Sequence, residues 1–343
     1  MGDHAGWLLI MPRLNIIQAR AKNLFRSSLL SPRIDPTSIG RFTMPDAVVS
    51  IQSKRFSSGK WNYAPQAPYD NNLPTSLSII TWNIDFAAPE AARRLTTALD
   101  YLQYHAFPEH KEGKPPHCLI LLQEININAF NTLLAHPWVR EWFKVVPGSP
   151  EAGWPRGATY GTITLVHAPL ANSVCVHFED SYMGRNALVT DITIGGGAEY
   201  PAPRILRVIN THLESLPMGT PMRISQMGVI GESLKEEGLL GGIACGDMNA
   251  IAPSDATLPE QNGLSDAWEE HRRDEEEDGT TWGYQPVTRF SPGRLDKILY
   301  TESDAFDVKD VRRIAVGLEM PGGEWVSDHY GLACHVGIRE ESR

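Results

Sequence analysis

Five short segments carry the side chains able to do chemistry: Thr81-Trp82-Asn83-Ile84-Asp85, Leu122-Gln123-Glu124, Asn210-Thr211-His212-Leu213-Glu214-Ser215, Gly246-Asp247-Met248-Asn249 and Ser327-Asp328-His329. Each adjoins an apolar, β-like run. Strand ends are where a rigid sheet can aim polar groups into a shared cleft. Any one of them alone is ordinary turn chemistry, because Asn and Asp commonly cap strands and turns. Together, their Asn, Glu, His and Asp side chains suit hydrolysis of a phosphate ester assisted by a hard cation. Carboxylate oxygens bind Mg²⁺, whereas thiolates would select softer metals. A carboxylate can orient or deprotonate an attacking water, and imidazole or amide donors can stabilise the charge that develops on the phosphoryl oxygens. The sequence has no Gly-rich phosphate loop, serine nucleophile elbow or dinucleotide fingerprint.

The elements that must position these residues are legible in outline. Leu77–Ile84 reads as a strand, and Pro89 opens a helical stretch in which Ala92, Leu95, Leu99 and Leu102 recur at helical spacing. Cys118–Leu122 is a short apolar strand. A helical stretch from Ala129 towards Trp142 is interrupted at Pro137. Strands are predicted at Thr162–His167, Val174–Phe178, Leu188–Ile194 and Ile205–His212, with a turn at Gly195-Gly196-Gly197. Met222–Leu234 reads as helix, Gly241–Cys245 as strand and Asp266–Arg273 as a short helix. Strands follow at Asp296–Tyr300, Val308–Val316 and Leu332–Ile338. Many short strands with few helices suit an α/β fold of two packed sheets with helices on the outer faces.

The 343 residues are 42% hydrophobic and 21% charged, an ordinary globular composition that can bury a sizeable core. The four cysteines are far apart and lie in or beside apolar runs, which excludes a disulfide-stapled scaffold and a Cys/His zinc site. A net charge of −10 argues against non-specific coating of nucleic acid, though not against handling one phosphodiester at a local site. Part of that charge is the run Asp274–Asp278, read as a solvated loop. No stretch has the length of apolar residues a membrane span needs. Residues 1–72 lack sustained periodicity and are punctuated by Pro32, Pro36, Pro45, Pro65 and Pro68; they read as a mobile N-terminal extension before a catalytic domain at 73–343. Arg13, Arg20, Lys22, Arg26 and Arg33 occur there with no acid between Asp3 and Asp35, as in a mitochondrial transit peptide or a basic tail.

The five segments, in this order, resemble the endonuclease/exonuclease/phosphatase superfamily over about residues 75–340. The resemblance implies a four-layer α/β sandwich, DNase I-like, with two mixed sheets face to face, and a Mg²⁺- or Mn²⁺-dependent phosphodiesterase or phosphatase. Thr81–Asp85, Asn210–Ser215, Ser181–Asn186, and Thr281-Trp282 ahead of Arg294–Ile298 are most similar to the 5′-tyrosyl-DNA phosphodiesterases, which remove a topoisomerase tyrosine from a DNA 5′ phosphate. An AP endonuclease, another nuclease, and a small-molecule or lipid phosphatase are the alternatives on the same fold. An inactive binding relative is the further alternative.

The resemblance implies the following roles. Glu124 is the main metal ligand with Asn83 beside it; Asp247 polarises the attacking water; Asn249 and His212 hold phosphate oxygens. Asp328 orients His329, which donates to the phosphoryl group. Arg185 and Arg223 contact the nucleic-acid backbone, and Trp282 offers the substrate an aromatic face. Arg185 in a loop ion pair, Trp282 in the core and Arg223 solvated on its helix are the competing structural readings. Asp296 is read as structural and Tyr160 as a packing residue. The partner expected is a DNA end bearing a 5′-phosphotyrosyl adduct, with no membrane. The chain is expected to be monomeric and nuclear, with a mitochondrial address as the other option.

Overall fold

The computed structural model describes residues 48–64, 73–107, 110, 113–195, 203–271 and 278–339. Among the described residues, fifteen strands form two mixed sheets. The first is ordered β1-β8-β9-β10-β11-β13-β12, comprising Val48–Ser50, Leu170–His177, Asn186–Ile194, Arg204–His212, Leu239–Asp247, Asp296–Tyr300 and Ser265–Asp266. The second is ordered β14-β15-β4-β5-β7-β6-β2-β3, comprising Phe306–Ile314, Gly331–Ile338, Ser76–Asn83, Cys118–Asn126, Tyr160–His167, Lys144–Val146, Lys54–Ser57 and Lys60–Tyr63.

The side-chain alternation of the strands builds three cores, and these define four layers. Leu77, Ile79, Leu119 and Leu121 of the second sheet meet Leu188, Val208, Ile243 and Cys245 of the first in the middle. Their neighbours Ile80, Trp82, Ile120 and Leu122 point the other way and pack beneath Leu95, Leu99 and Leu102 of the helix Ala91–His105. On the far side, Val189, Ile209 and Ala244 pack beneath Met227, Ile230 and Leu234 of the helix Thr220–Leu234. Strands buried on both faces read as almost continuous apolar runs, and β5 and β9 do. This is the four-layer α/β sandwich that the sequence led us to expect. No helix among the described residues is long and apolar enough to cross a membrane.

Two strand–helix–strand crossovers set the site. β4 runs through the Ala91–His105 helix to parallel β5, and β10 runs through the Thr220–Leu234 helix to parallel β11. The carboxyl ends of both parallel pairs therefore come together at one end of the sandwich, the usual place for a ligand crevice in α/β sheets.

The boundary expected near Asn72 is corrected. Val48–Ser50 pairs antiparallel with β8 at the edge of the first sheet, and Lys54–Tyr63 forms a hairpin that joins the second sheet through β6. Ser58 and Gly59, at φ 52° and 77°, make its two-residue turn. Strands of three and four residues are too short to register as periodicity along the chain. Residues 1–47 and 65–72 of the expected extension lie outside the described residues, as do Asp274–Glu277 of the acidic run and Gly196-Gly197 of the predicted turn.

Candidate active site

Register places the polar residues side by side. His212 is opposite Asp247, and Asp247 is opposite Asp296 across β13. Gly246 makes the first pairing possible: at φ 147°, a Cβ there would lie 1.8 Å from the Thr211 carbonyl oxygen, so only glycine lets β10 and β11 approach so closely. In the other sheet Asn83 is opposite Gln123, one residue before Glu124. The β5–β7 register slips between Leu122 and Ile125, and Glu124 sits at φ 58°. This bulge takes Glu124 out of the strand alternation, at a backbone cost of roughly 1–3 kcal/mol.

Asp247 is the hub. One oxygen accepts from the Asn249 backbone N–H at 2.9 Å; the other accepts from Asn83 Nδ2 at 3.0 Å and lies 3.3 Å from His212 Nε2 and 3.9 Å from His329 Nε2. Glu124 accepts from the Phe86 N–H at 3.0 Å through Oε2, and its Oε1 lies 3.8 Å from His212 Nε2. Asn83, Glu124, His212, Asp247 and His329 thus converge from both sheets.

The two histidines are held in opposite charge states. Arg185 Nη1 donates to His212 Nδ1 at 2.8 Å, so that nitrogen is an acceptor and the proton sits on Nε2. Burial, then the Arg185 charge, pushes the His212 pKa well below its usual value, leaving a neutral N–H donor facing Asp247. His329 Nδ1 lies 2.7 Å from Asp296 Oδ2. Burial opposes its protonation, but Asp296 and then Asp328 overcome that and hold the imidazole well above its ordinary pKa, as a cation. Its backbone is fixed as well: its carbonyl accepts from Trp82 Nε1 at 3.0 Å, and Ser327 Oγ accepts from its N–H while donating to the Asn83 carbonyl.

Both acids are pushed towards their neutral forms. Burial, with Asp328 and Asp85 nearby, raises the Glu124 pKa to about 7, and burial raises Asp247 to about 6. Carboxyls that resist ionising because they face other carboxyls and little solvent are the environment a divalent cation relieves. Among the described residues, no set of three or more His, Cys, Asp and Glu side chains encloses a metal position. Glu124 is the ligand the geometry offers, through hard carboxylate oxygen, and Mg²⁺ characteristically takes one or two carboxylates and keeps several waters.

Beneath the site a polar bolt joins the sheets. Gln123 Nε2 donates to Thr81 Oγ1 at 3.0 Å and across the interface to Asn210 Oδ1 at 2.9 Å, and Asn210 Nδ2 donates back to the Ile163 carbonyl at 2.9 Å. These buried amide hydrogen bonds tie the two sheets together, although Gln123 Oε1 is left without a partner. Gln123 and Asn210 stood inside the flagged segments, but their pairing has no sequence signal because it spans two sheets. Glu214 is buried in the same way, accepting from Ser181 Oγ at 2.6 Å and from the Tyr182 and Met183 N–H groups, and so anchors the loop that carries Arg185.

Several expected placements are corrected. Asp296, not Asp328, is the carboxylate on His329 Nδ1. Asp328 lies 3.9 Å from Nε2 and accepts from Trp282 Nε1 at 2.9 Å. Arg223 is fully buried: it is paired with Asp255 through Nε at 3.1 Å and Nη2 at 2.8 Å, and Nη1 donates to the Glu214 and Leu216 carbonyls. It cannot reach a nucleic-acid backbone. Arg185 is also buried, lying against Tyr160 and donating to His212 and Ser215, so it backs the site rather than facing a strand. Asn83 is committed at both ends, donating to Asp247 and accepting from the Asp85 N–H at 3.0 Å, so it stands beside Glu124 chiefly as the group that orients Asp247. Asn249 is in place, at φ 46° with Nδ2 on the Leu213 carbonyl. Trp282 is half-buried, bridged to His329 along the backbone, and stacks on Phe290 at 6.4 Å. Tyr160 stacks on Phe86 at 3.8 Å beside Arg185. A bulky residue at position 86 is thereby accommodated as part of the wall.

Residues 80–329 match the Endonuclease/Exonuclease/phosphatase family. No curated protein matches the chain in sequence. In three dimensions the chain is similar to TDP2 from C. elegans, with 20% identity, a TM-score of 0.60, and 78% of this chain and 76% of that one covered. It is similar to D. rerio TDP2 complexed with single strand DNA product, at 21% identity and a TM-score of 0.59, covering 77% and 99%. It is also similar to the human Nocturnin catalytic domain with bound sulfate anion, at 19% identity and a TM-score of 0.50, covering 77% and 94%. At such identities the likeness establishes the shared fold.

Proposed function

This chain belongs to the Endonuclease/Exonuclease/phosphatase family, hydrolases of phosphoester bonds, and from that premise we propose that it is a divalent-metal-dependent phosphodiesterase that releases tyrosine from a 5′-phosphotyrosyl DNA end. The observation that carries the reading is half-buried Trp282, bridged along the backbone to His329 and stacked on Phe290, an aromatic surface against which a flat, unstacked substrate group could lie near the phosphoryl position. The TDP2 structure with a single-stranded DNA product lends support as a relative of the same fold.

Each side chain then has a task. Mg²⁺ or Mn²⁺, when bound at Glu124, supplies positive charge to the phosphate oxygens. Asp247, oriented by Asn83 and the Asn249 N–H, is the base that positions the attacking water. Neutral His212 donates through Nε2, cationic His329 donates through its own Nε2, and Asn249 closes the phosphate cradle. A phenol leaves with a pKa near 10, far below that of a sugar alcohol, so departure needs little protonation. His329 can therefore serve as an electrostatic donor to the phosphoryl group, with no separate acid needed at the leaving oxygen. Repair of topoisomerase adducts on DNA is the corresponding role.

A substrate panel with Mg²⁺ tests the proposal: a 5′-phosphotyrosyl oligonucleotide, a 3′-phosphotyrosyl oligonucleotide, an abasic duplex and a phosphoinositide. Preferred turnover of the first supports it. Preference for the abasic duplex or the phosphoinositide overturns the substrate assignment and leaves the family intact.

A further inference from the structure

A cavity of about 890 Å³, as lined by the described residues, opens against the eight-stranded sheet at the C-terminal end of the Ala91–His105 helix. It lies at the opposite ends of the strands that carry the active site. Ser78 lines it, while Asn83 of the same strand reaches Asp247; five residues of extended chain separate them by roughly 16 Å. Its volume falls within the range of small-molecule sites.

In a chain of net charge −10, the described wall of this cavity carries two fixed cations against one carboxylate, with imidazoles between them. Lys114, Arg312, His117, His167 and His335 line it, and Asp310 is the only carboxylate among the described lining residues. The Lys114 ammonium and the His117 and His335 rings have no hydrogen-bonding protein partner among the described residues. Lys114 lies over Trp142 at 5.7 Å, and His117 stacks on His167 at 5.7 Å. Burial lowers the His167 pKa, and the charges of His117, Arg55 and Lys114 lower it further, against a hydrogen bond to the Trp142 carbonyl. The fixed cations Lys114 and Arg312 face a single described carboxylate, Asp310, an imbalance that a bound anion relieves. The same wall presents flat and apolar surface: Trp142, Phe107 and the stacked imidazoles. An ammonium with no hydrogen-bonding partner among the described residues, imidazole rings with free nitrogens and planar surface together complement one ligand chemistry, a phosphate joined to an aromatic base.

We propose that this cavity is a second, non-catalytic site that binds a nucleoside monophosphate. The test is calorimetric titration of the metal-free full chain with AMP, alongside inorganic phosphate, adenosine and single-stranded oligothymidylates of increasing length. Lys114 and His117 are exposed, so the double variant K114A/H117A removes one cation and one ring of the stacked pair without touching the core. AMP is expected to bind one-to-one to the wild type and to Asp247→Asn alike, more tightly than phosphate or adenosine. Binding should weaken about tenfold or more in K114A/H117A, with phosphodiester turnover and melting temperature unchanged. The proposal is overturned by no AMP binding at millimolar concentration, or by loss of binding in Asp247→Asn with retention in K114A/H117A. Phosphate binding as tightly as AMP would overturn the nucleoside part. Oligothymidylate affinity that rises with length and is lost in K114A/H117A would replace the closed site with a strand path.

Discussion

Replacing Asp296 by Asn isolates the charge that keeps His329 protonated. Asp296 is fully buried, with Oδ2 2.7 Å from His329 Nδ1, and His329 itself is 5% exposed. Asparagine keeps the shape and can still accept from Nδ1–H, so the backbone anchors at Trp82 and Ser327 hold the ring where it is. What disappears is the ion pair. Uncompensating a buried charge of this kind costs about 3–5 kcal/mol, and the imidazole avoids that cost by shedding its proton. A neutral ring that donates through Nδ1 has only a lone pair on Nε2, so the donor aimed at the phosphoryl group is lost. Losses of about 10²–10⁴-fold in kcat/KM follow, equivalent to roughly 3–5 kcal/mol of transition-state stabilisation. The assays are kcat/KM against pH on a 5′-phosphotyrosyl oligonucleotide and the NMR titration of the His329 ring. The ring should titrate lower in Asp296→Asn, and activity should partly recover at acid pH. Asp328→Asn, 3.9 Å away on the other nitrogen and 35% exposed, should move the ring pKa less. The sign for stability follows from the raised pKa. The pair contributes fully below about pH 6.5, where the unfolded histidine is also protonated, and its contribution fades as pH rises through the higher folded value. The stability gap between wild type and variant should therefore be widest in acid and close in alkali. Wild-type kcat/KM with an unmoved His329 titration would refute the reasoning.

Three further outcomes are expected. Glu124→Gln should abolish turnover yet stabilise the metal-free protein at pH 8 by about 1–3 kcal/mol in urea melts, because a carboxyl with a pKa raised to about 7 loses stability as pH climbs from its unfolded value towards 7; equal or lower stability would contradict the assignment. EDTA should silence the wild type, Mg²⁺ or Mn²⁺ should restore it, and Mg²⁺ should raise the melting temperature of wild type but not of Glu124→Gln, with stronger binding as pH passes about 7; metal-independent turnover would exclude the mechanism. Arg223→Ala should cost about 3–5 kcal/mol of folding stability by stranding buried Asp255, with any residual folded enzyme showing normal KM; full stability with a raised KM would return Arg223 to the substrate surface.

Much of this molecule could be read along the chain. The apolar runs that became β4, β5, β10 and β11 are nearly continuous because both faces of each strand are buried, and each ends in one of the flagged polar segments. The four layers were expected from the family resemblance. Hydrophobic periodicity and residue type are local properties, so the main strands and helices and the polar residues at their ends were accessible without coordinates. The first three strands were not, because short strands at sheet edges carry no repeat long enough to detect. Partner choice was not accessible either. Asp296 and Asp328 are both acids near His329, and only the register of β13 against β11 shows which one meets Nδ1. Arg223 and Arg185 read as cations for a phosphate backbone, but packing against Asp255 and His212 turned both inward. Composition and spacing state which groups exist and on which element they ride. Desolvation, hydrogen-bond direction and charge state depend on what lies across the gap, and that neighbour comes from a strand tens to hundreds of residues away.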